Sequence, residues 1–245
     1  MKQIISLDNP LVKKAVQLAT PKGRAQYNQF IAEGLRTCKT LTQTPLALDT
    51  FFVTPNTLEQ ARTFISEQYI LVVSESVMNK IAATKTPSGF LGIFSLPRTP
   101  DSTTLKPGLV LFGISDPGNM GTLIRSAVAF DKPQLILVEG VDPWNPKVVQ
   151  ASAGTIGYAS LIQLNWQQLL QHKNRPPLCA LATHGGKNID ATIANDLLLV
   201  GSEAHGIAQE VLDQCAQRVS LPMPGPAESL NAAIAGSIAL YLSSL

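Results

Sequence analysis

Read for its hydrophobic pattern, the chain opens with short helices. Leu11, Val12, Ala15, Val16 and Leu18 give a partial apolar face behind a helix start at Asn9-Pro10. The opening stretch to about residue 29 therefore predicts one or two short polar helices, with Lys13, Lys14, Lys22 and Arg24 on the other side. Residues 30–34 read as a short strand running into a helix over 35–42. Strands follow at 48–54, 69–74 and 90–95, and helices at 57–67 and 75–84. This alternation predicts a small α/β unit over residues 1–96.

Residues 97–107 fall in a stretch with three prolines and no periodicity, which marks a linker. A second unit over 108–245 then opens on the uninterrupted apolar run Leu109 to Ile114, fit for a parallel strand buried on both faces. Further strands are expected at 134–139, 159–164, 178–182 and 196–200, with a last one ending at Leu221. Helices are expected at 119–130, up to Ala151, at 166–172 and at 209–214. Six strands alternating with helices imply a mostly parallel sheet with helices on both faces. The final stretch stands apart. Pro222, Pro224 and Pro226 make a stiff loop, Ser229 offers an N-cap hydroxyl, and an Ala-rich helix follows that is apolar nearly all round. Such a helix is expected to be buried against its own domain, a second subunit or both.

Composition narrows the class. Of the 245 residues 45% are hydrophobic and 15% charged, enough for a sizeable core and unlike a disordered chain. No run approaches a membrane span and no secretory signal is expected. Three scattered cysteines (Cys38, Cys179, Cys215) argue against a disulfide framework or zinc cluster and for a reducing, cytoplasmic setting, where they act as small buried hydrophobes. The net charge is +2, but unevenly spread. Up to Pro107 there are 12 basic against 7 acidic residues; beyond it there are 7 against 10. The first part thus has the charge of a polyanion-binding surface, although an ordinary solvated basic surface accounts for it equally well.

Three strands end in polar, glycine-bearing loops, where open parallel sheets place their ligands. They are Asp116 to Thr122 with Arg125 a turn beyond, Gly201 to Gly206, and the proline loop with Ser229, Leu230 and Asn231. Dinucleotide, P-loop, nucleophile-elbow and HExxH patterns are all absent. What is left is a pocket of backbone amides and carbonyls with acidic, Arg, Ser and Asn side chains. It suits a flat, polar, neutral-to-cationic ligand better than a polyphosphate.

NMGTLIR at 119–125, GSEAHGI at 201–207 and LPM…SLN at 221–231, in this order and spacing, resemble the three motifs of the SpoU (TrmH-like) RNA 2′-O-ribose methyltransferases of the SPOUT class. FIAEGLRTCKTL at 30–41 resembles the start of that family's accessory RNA-binding domain, which is similar to a small α/β ribosomal protein. The resemblance implies a trefoil-knotted catalytic domain, a homodimer through the C-terminal domain, and S-adenosylmethionine (AdoMet) as cofactor with S-adenosylhomocysteine as product and no metal. It implies RNA as substrate, ribosomal more than transfer.

Carried over residue by residue, the cofactor set is Thr183, Gly201, Glu203, Gly206, Ile207, Leu221, Met223, Ser229, Leu230 and Asn231. The catalytic set is Asn119, Arg125, Glu203, Ser229 and Asn231. Lys13, Lys14, Lys22, Arg24, Arg36 and Arg125 are the expected RNA contacts. After Asn231 the chain departs from the family, with Ala232-Ala233 in place of Val-Ser. A guanidinium is effectively always protonated, so Arg125 is expected to grip the phosphate beside the target ribose rather than to act as base. Blander roles stand beside these. Glu203 also suits a structural cap for the helix that follows it, Ser229 and Asn231 suit caps, His205 suits loop surface, and Trp144 and Trp166 suit core or interface anchors. The rival from another class is a catalytically silent RNA-binding or ribosome-assembly factor that keeps the fold.

Overall fold

The computed structural model describes residues 3–203, 206–226 and 228–245. It divides the chain into two compact units, Met1–Arg98 with Asp142–Gly157, and Thr99–Val141 with Tyr158–Leu245.

In the first unit α1 (Pro10–Leu18), α2 (Pro21–Tyr27), β1 (Gln29–Glu33), α3 (Leu35–Leu41), β2 (Leu48–Val53), α4 (Leu58–Arg62), β3 (Ile70–Val72), α5 (Glu75–Ile81) and β4 (Phe90–Ser95) follow in order. The strands form one sheet in the order β1-β4-β2-β3, with only β2 and β3 parallel. Asn9 caps α1 by accepting from the Leu11 amide at 2.9 Å, and Pro10 at the first position has no amide to leave unpaired. Val12, Ala15 and Leu18 of α1 and Val77, Met78 and Ile81 of α5 bury themselves with Ile31, Phe52, Leu91 and Ile93. The helix expected at 57–67 is shorter. Pro55 starts a 3-10 turn, α4 ends at Arg62, and a second 3-10 turn spans Glu67–Tyr69.

Asp142–Gly157 packs with this unit, although the pattern of the sequence groups it with the second domain. Three contacts explain the placement. The Trp144 ring lies 4.7 Å from that of Phe30, and the Arg24 guanidinium is bonded to the Asp142 carboxylate. Gly154, at φ +84°, sits where a Cβ would come within 2.5 Å of the Thr37 carbonyl oxygen. Trp144 is thus the core anchor expected of it.

The second unit is built on β5 (Gly108–Phe112), α6 (Pro117–Ala129), β6 (Gln134–Val138), β7 (Ser160–Gln163), α8 (Trp166–Gln171), β8 (Leu178–Leu181), β9 (Lys187–Asn188), β10 (Leu197–Val200), α9 (Gln209–Leu212), β11 (Gln217–Ser220) and α10 (Ala232–Ser243); α7 (Pro146–Ala151) lies in the segment just described. Seven strands, one more than expected, form a sheet in the order β7-β6-β5-β10-β8-β11-β9 with every pair parallel. The extra strand is the two-residue, exposed β9, which has no apolar run to betray it. The central strands are continuous apolar runs buried along their length, such as Leu197–Val200, as a sheet covered on both faces requires. On one face Gly236 of α10 lets that helix approach α6; a Cβ there would meet Leu123 at 2.6 Å. Ser126 and Ser237 join the same two helices at 2.7 Å.

One sequence expectation for the last helix changes. Asn231, not Ser229, is the N-cap, accepting from the Ala233 and Ile234 amides at 2.9 and 3.2 Å. Within the single chain the helix is buried on one side, against its own domain. Ala233, Gly236, Ala239 and Leu240 face inward, but Ile234, Ile238 and Tyr241 are 51%, 38% and 48% exposed. No helix among the described residues is long and apolar enough to cross a membrane.

Candidate functional site

Because all strand pairs in the second sheet are parallel, the carboxyl ends of β5, β10, β8 and β11 lie side by side on one edge. The loops leaving that edge are therefore brought together although they come from distant parts of the sequence. Those after β8, β10 and β11 line a cavity of about 720 Å³. All ten residues of the expected cofactor set, Thr183, Gly201, Glu203, Gly206, Ile207, Leu221, Met223, Ser229, Leu230 and Asn231, are among its lining residues. His184, Ser202 and Glu228 line it as well and were not foreseen. His184 directly follows Thr183 after β8, so its place at a strand's carboxyl end was the available signal; Glu228 sits in the proline loop, where its charge was the clue.

Glycine is required at the second loop. A Cβ on Gly201 would come within 2.5 Å of both the Gly206 carbonyl oxygen and the Ile207 side chain. Gly206 itself has φ +62° and donates its amide to the Ser202 carbonyl at 2.9 Å. His205 lies outside the described residues, so the surface role expected of it has no structural counterpart here.

The polar side chains of the site form one chain of bonds. Asn119, buried at the start of α6, donates Nδ2 to a Glu203 carboxylate oxygen at 2.8 Å and accepts from Asn231 Nδ2 at 2.9 Å. Glu203 also accepts from the Ser115 amide (3.4 Å), the Ser115 hydroxyl (3.2 Å) and the Asp116 amide (3.3 Å). Asp116 is the N-cap of α6, accepting from the Asn119 amide at 2.8 Å. Glu203 is thus not the cap of the helix that follows it in sequence, which starts behind Ala208; it ties the loop after β10 to the loop after β5. Partial burial works to raise its pKa, but the Asn119 amide and the Ser115 and Asp116 backbone amides outweigh it and hold the carboxyl below its ordinary 4.5. A carboxylate so loaded with donors is a poor proton acceptor near neutral pH and a good loop organiser.

Arg125 is exposed on α6 and pairs with no acidic group among the described residues. It stands outside the bond network of Asn119, Glu203 and Asn231. Of the other expected RNA contacts, Lys22 and Arg36 are exposed, Lys13 pairs with Asp8 at 2.9 Å, and Lys14 lies 3.4 Å from Asp49 and 5.7 Å from the Tyr27 ring centroid. Arg24 is corrected outright. It is 3% exposed, with its guanidinium bonded to the Leu18 and Ala19 carbonyls and to Asp142, so it is buried within its own unit rather than presented to a ligand. Its spacing in the sequence did not separate it from the surface lysines around it. Trp166 also anchors the core, edge-on to Phe112 with centroids 5.3 Å apart. Among the described residues no group of three or more His, Cys, Asp or Glu could hold a metal ion.

A parallel α/β sheet with a ligand-sized cavity at its carboxyl edge has the form of a small-molecule-binding domain. The comparisons make this specific. The model of the SpoU rRNA methylase family matches residues 107–241, and that of an MRM3-like substrate binding domain matches residues 9–92. The chain belongs to the SpoU rRNA methylase family. It is 31% identical to an uncharacterised tRNA/rRNA methyltransferase of Synechocystis, over 97% of this chain and 92% of that one. It is 26% identical to the 23S rRNA (guanosine(2553)-2′-O)-methyltransferase of Bacillus subtilis, over 98% of each. Among solved structures, the AdoMet-bound rRNA methyltransferase of Sinorhizobium meliloti superposes with a TM-score of 0.82 at 28% identity, covering 99% of this chain and 97% of that one.

Proposed function

We infer that this protein transfers a methyl group from AdoMet to a ribose 2′-hydroxyl of ribosomal RNA. The observation that carries the reading is that loops holding two of the three family motifs line one cavity while Asn119 of the third is bonded to both, within a chain whose whole length matches RNA methyltransferases.

The residues present fit AdoMet. The cavity lies within the range of roughly 300–1,000 Å³ usual for small-molecule sites. Its wall is close-packed backbone at Gly201 and Gly206, with Ile207, Leu221, Met223 and Leu230 as apolar surface and Glu203 and Glu228 as negative charge suited to a cationic ligand. Bound there, AdoMet supplies an electrophilic methyl group on a positively charged sulfur. The protein's share is alignment, because the ribose oxygen must approach in line with the bond that breaks. Asn119, Glu203 and Asn231 lock the loops after β5, β10 and β11 into one frame. Arg125, which pairs with no acidic group among the described residues, holds the phosphate next to the target ribose and by its charge favours loss of the hydroxyl proton.

In this reading Ser229 and Leu230 contribute to the cofactor wall, the basic first unit binds the RNA, and the C-terminal chain forms a trefoil knot around the cavity. The exposed Ile234, Ile238 and Tyr241 of α10 are covered in a homodimer. The protein works in the cytoplasm, in keeping with its bacterial rRNA methyltransferase relatives. Calorimetric titration with AdoMet tests the assignment: one site per chain is expected, and absence of binding would turn the protein into the silent assembly factor.

A further inference from the structure

The described cations of the first unit are not equivalent. Lys13, Lys14, Arg24 and Arg62 are engaged with Asp8, Asp49, Asp142, and Glu59 with Glu67 respectively. Arg36 and Lys85 are exposed, and neither pairs with an acidic side chain among the described residues, a state they share with Lys22, Lys39, Lys80, Arg98 and Lys147. What links these two is a buried acid. Glu33, at the end of β1 and 5% exposed, pairs with no cation among the described residues. Its carboxyl oxygens instead accept from the Ala83 amide at 2.8 Å, the Thr84 amide at 3.1 Å and the Thr84 hydroxyl. Lys85 is the next residue after Thr84, and Arg36 lies one helical turn beyond Glu33, past a Gly34 whose amide donates to the Phe90 carbonyl at 3.0 Å.

The other end of the loop is fixed as firmly. The Gly89 carbonyl accepts from the Thr54 amide at 3.2 Å and the Thr57 hydroxyl at 2.9 Å. Gly89 has φ +83°, and a Cβ on it would come within 2.8 Å of both threonine side chains. Residues 83–89 are therefore a loop clamped at both ends, which holds out Lys85 and the exposed Thr86 and Ser88. A buried carboxyl group spent on loop amides contributes less to a core than an apolar side chain of its size would. Its return is a fixed loop.

We propose that the clamped loop 83–89, together with Arg36, is the surface on which the first unit takes RNA phosphates, and that Glu33 is the positioning residue that sets it. Two cations with fixed backbones, flanked by hydroxyl donors, fit the backbone of a folded RNA, where contacts position rather than specify. The proposal rests on the reading of the chain as an rRNA methyltransferase.

The test measures binding of refolded 23S rRNA to the full chain across a range of salt. Arg36→Ala and Lys85→Ala are each expected to weaken binding and to flatten the slope of log K against log salt by about 1. Arg62→Ala, which removes a cation already paired internally, leaves the slope as it is. Glu33→Gln turns one acceptor oxygen into an NH2 that faces amide donors. It adds no negative charge, so a loss of RNA affinity cannot come from repulsion. The expected result is a raised KM for rRNA with kcat at saturating rRNA and AdoMet affinity unchanged. If Arg36→Ala and Lys85→Ala keep the wild-type slope, the surface is wrong. If Glu33→Gln lowers the melting temperature and leaves the KM for rRNA alone, Glu33 is only structural. A wild-type chain that binds AdoMet but no rRNA would overturn the functional reading and this surface with it.

Discussion

Asn119 and Glu203 stand 84 positions apart in the sequence, and the side-chain amide of the first donates to the carboxylate of the second at 2.8 Å. Asn231 extends the link from a third loop. The family motifs are thus joined to one another by side chains before any ligand enters, and most of what can be tested about the site follows from that.

Residues that act through one network do not contribute independently. Asn119→Ala and Glu203→Ala should each weaken AdoMet binding, and the double variant should be little worse than the poorer single one. A coupling of about 0.5–3 kcal/mol in the cycle is expected; additive losses would show that the bond organises nothing. The pH dependence has a definite sign. Glu203 has a folded pKa below 4.5, so the stability it contributes is present in full above that value and is lost as pH falls through the lower folded one. AdoMet affinity should therefore stay level from about pH 6 to 8 as far as Glu203 is concerned, and weaken only in acid. Glu203→Gln should flatten that acid limb.

Arg125 lies outside the network, which separates binding from turnover. Arg125→Ala should reduce kcat/KM on rRNA by about 100-fold or more, the scale of losing one preorganised charge contact, with AdoMet affinity unchanged. Full methyl transfer by this variant would remove Arg125 from the mechanism.

Pro222 and Pro224 lie in the stretch between β11 and α10 that forms one wall of the cavity. Pro222→Gly releases backbone freedom in a loop that must close on its ligand, a cost of about 0.4–1 kcal/mol. AdoMet affinity should fall more than thermal stability does; the reverse order would make the loop merely structural.

The exposed stripe of Ile234, Ile238 and Tyr241 on α10 predicts the oligomeric state. Ile238→Glu should convert a dimer to a monomer in sedimentation velocity experiments. A wild-type protein that sediments as a monomer at micromolar concentration would refute the interface.

Sheet and cavity were legible in the sequence to different degrees, for physical reasons. The central strands announced themselves because a strand covered on both faces must be a continuous apolar run, as at Leu197–Val200. β9 is two exposed residues, Lys187 and Asn188, paired to β11, with no such run, so it left no trace. The cavity loops were legible through glycine and polar residues at strand ends, and the ten expected lining residues came together because parallel strands share one carboxyl edge. Arg24 shows the opposite case. Its partner Asp142 is 118 positions away, and nothing local distinguishes a buried arginine with a distant acid from a solvated one. Likewise the capping of α10 by Asn231 instead of Ser229 depended on where the proline loop ends, which composition alone does not fix.

The most direct test of the central claim is methyl transfer itself. Purified protein is incubated with 23S rRNA and AdoMet carrying a labelled methyl group, and the RNA is then hydrolysed in alkali. A methylated 2′-oxygen cannot attack the neighbouring phosphate, so label is expected in alkali-resistant dinucleotides from a single position, accumulating about 100-fold more slowly, or slower still, with Arg125→Ala. Label released in ordinary mononucleotides would place the methyl on a base, and no label at all would leave a protein that binds without transferring; either would contradict the account.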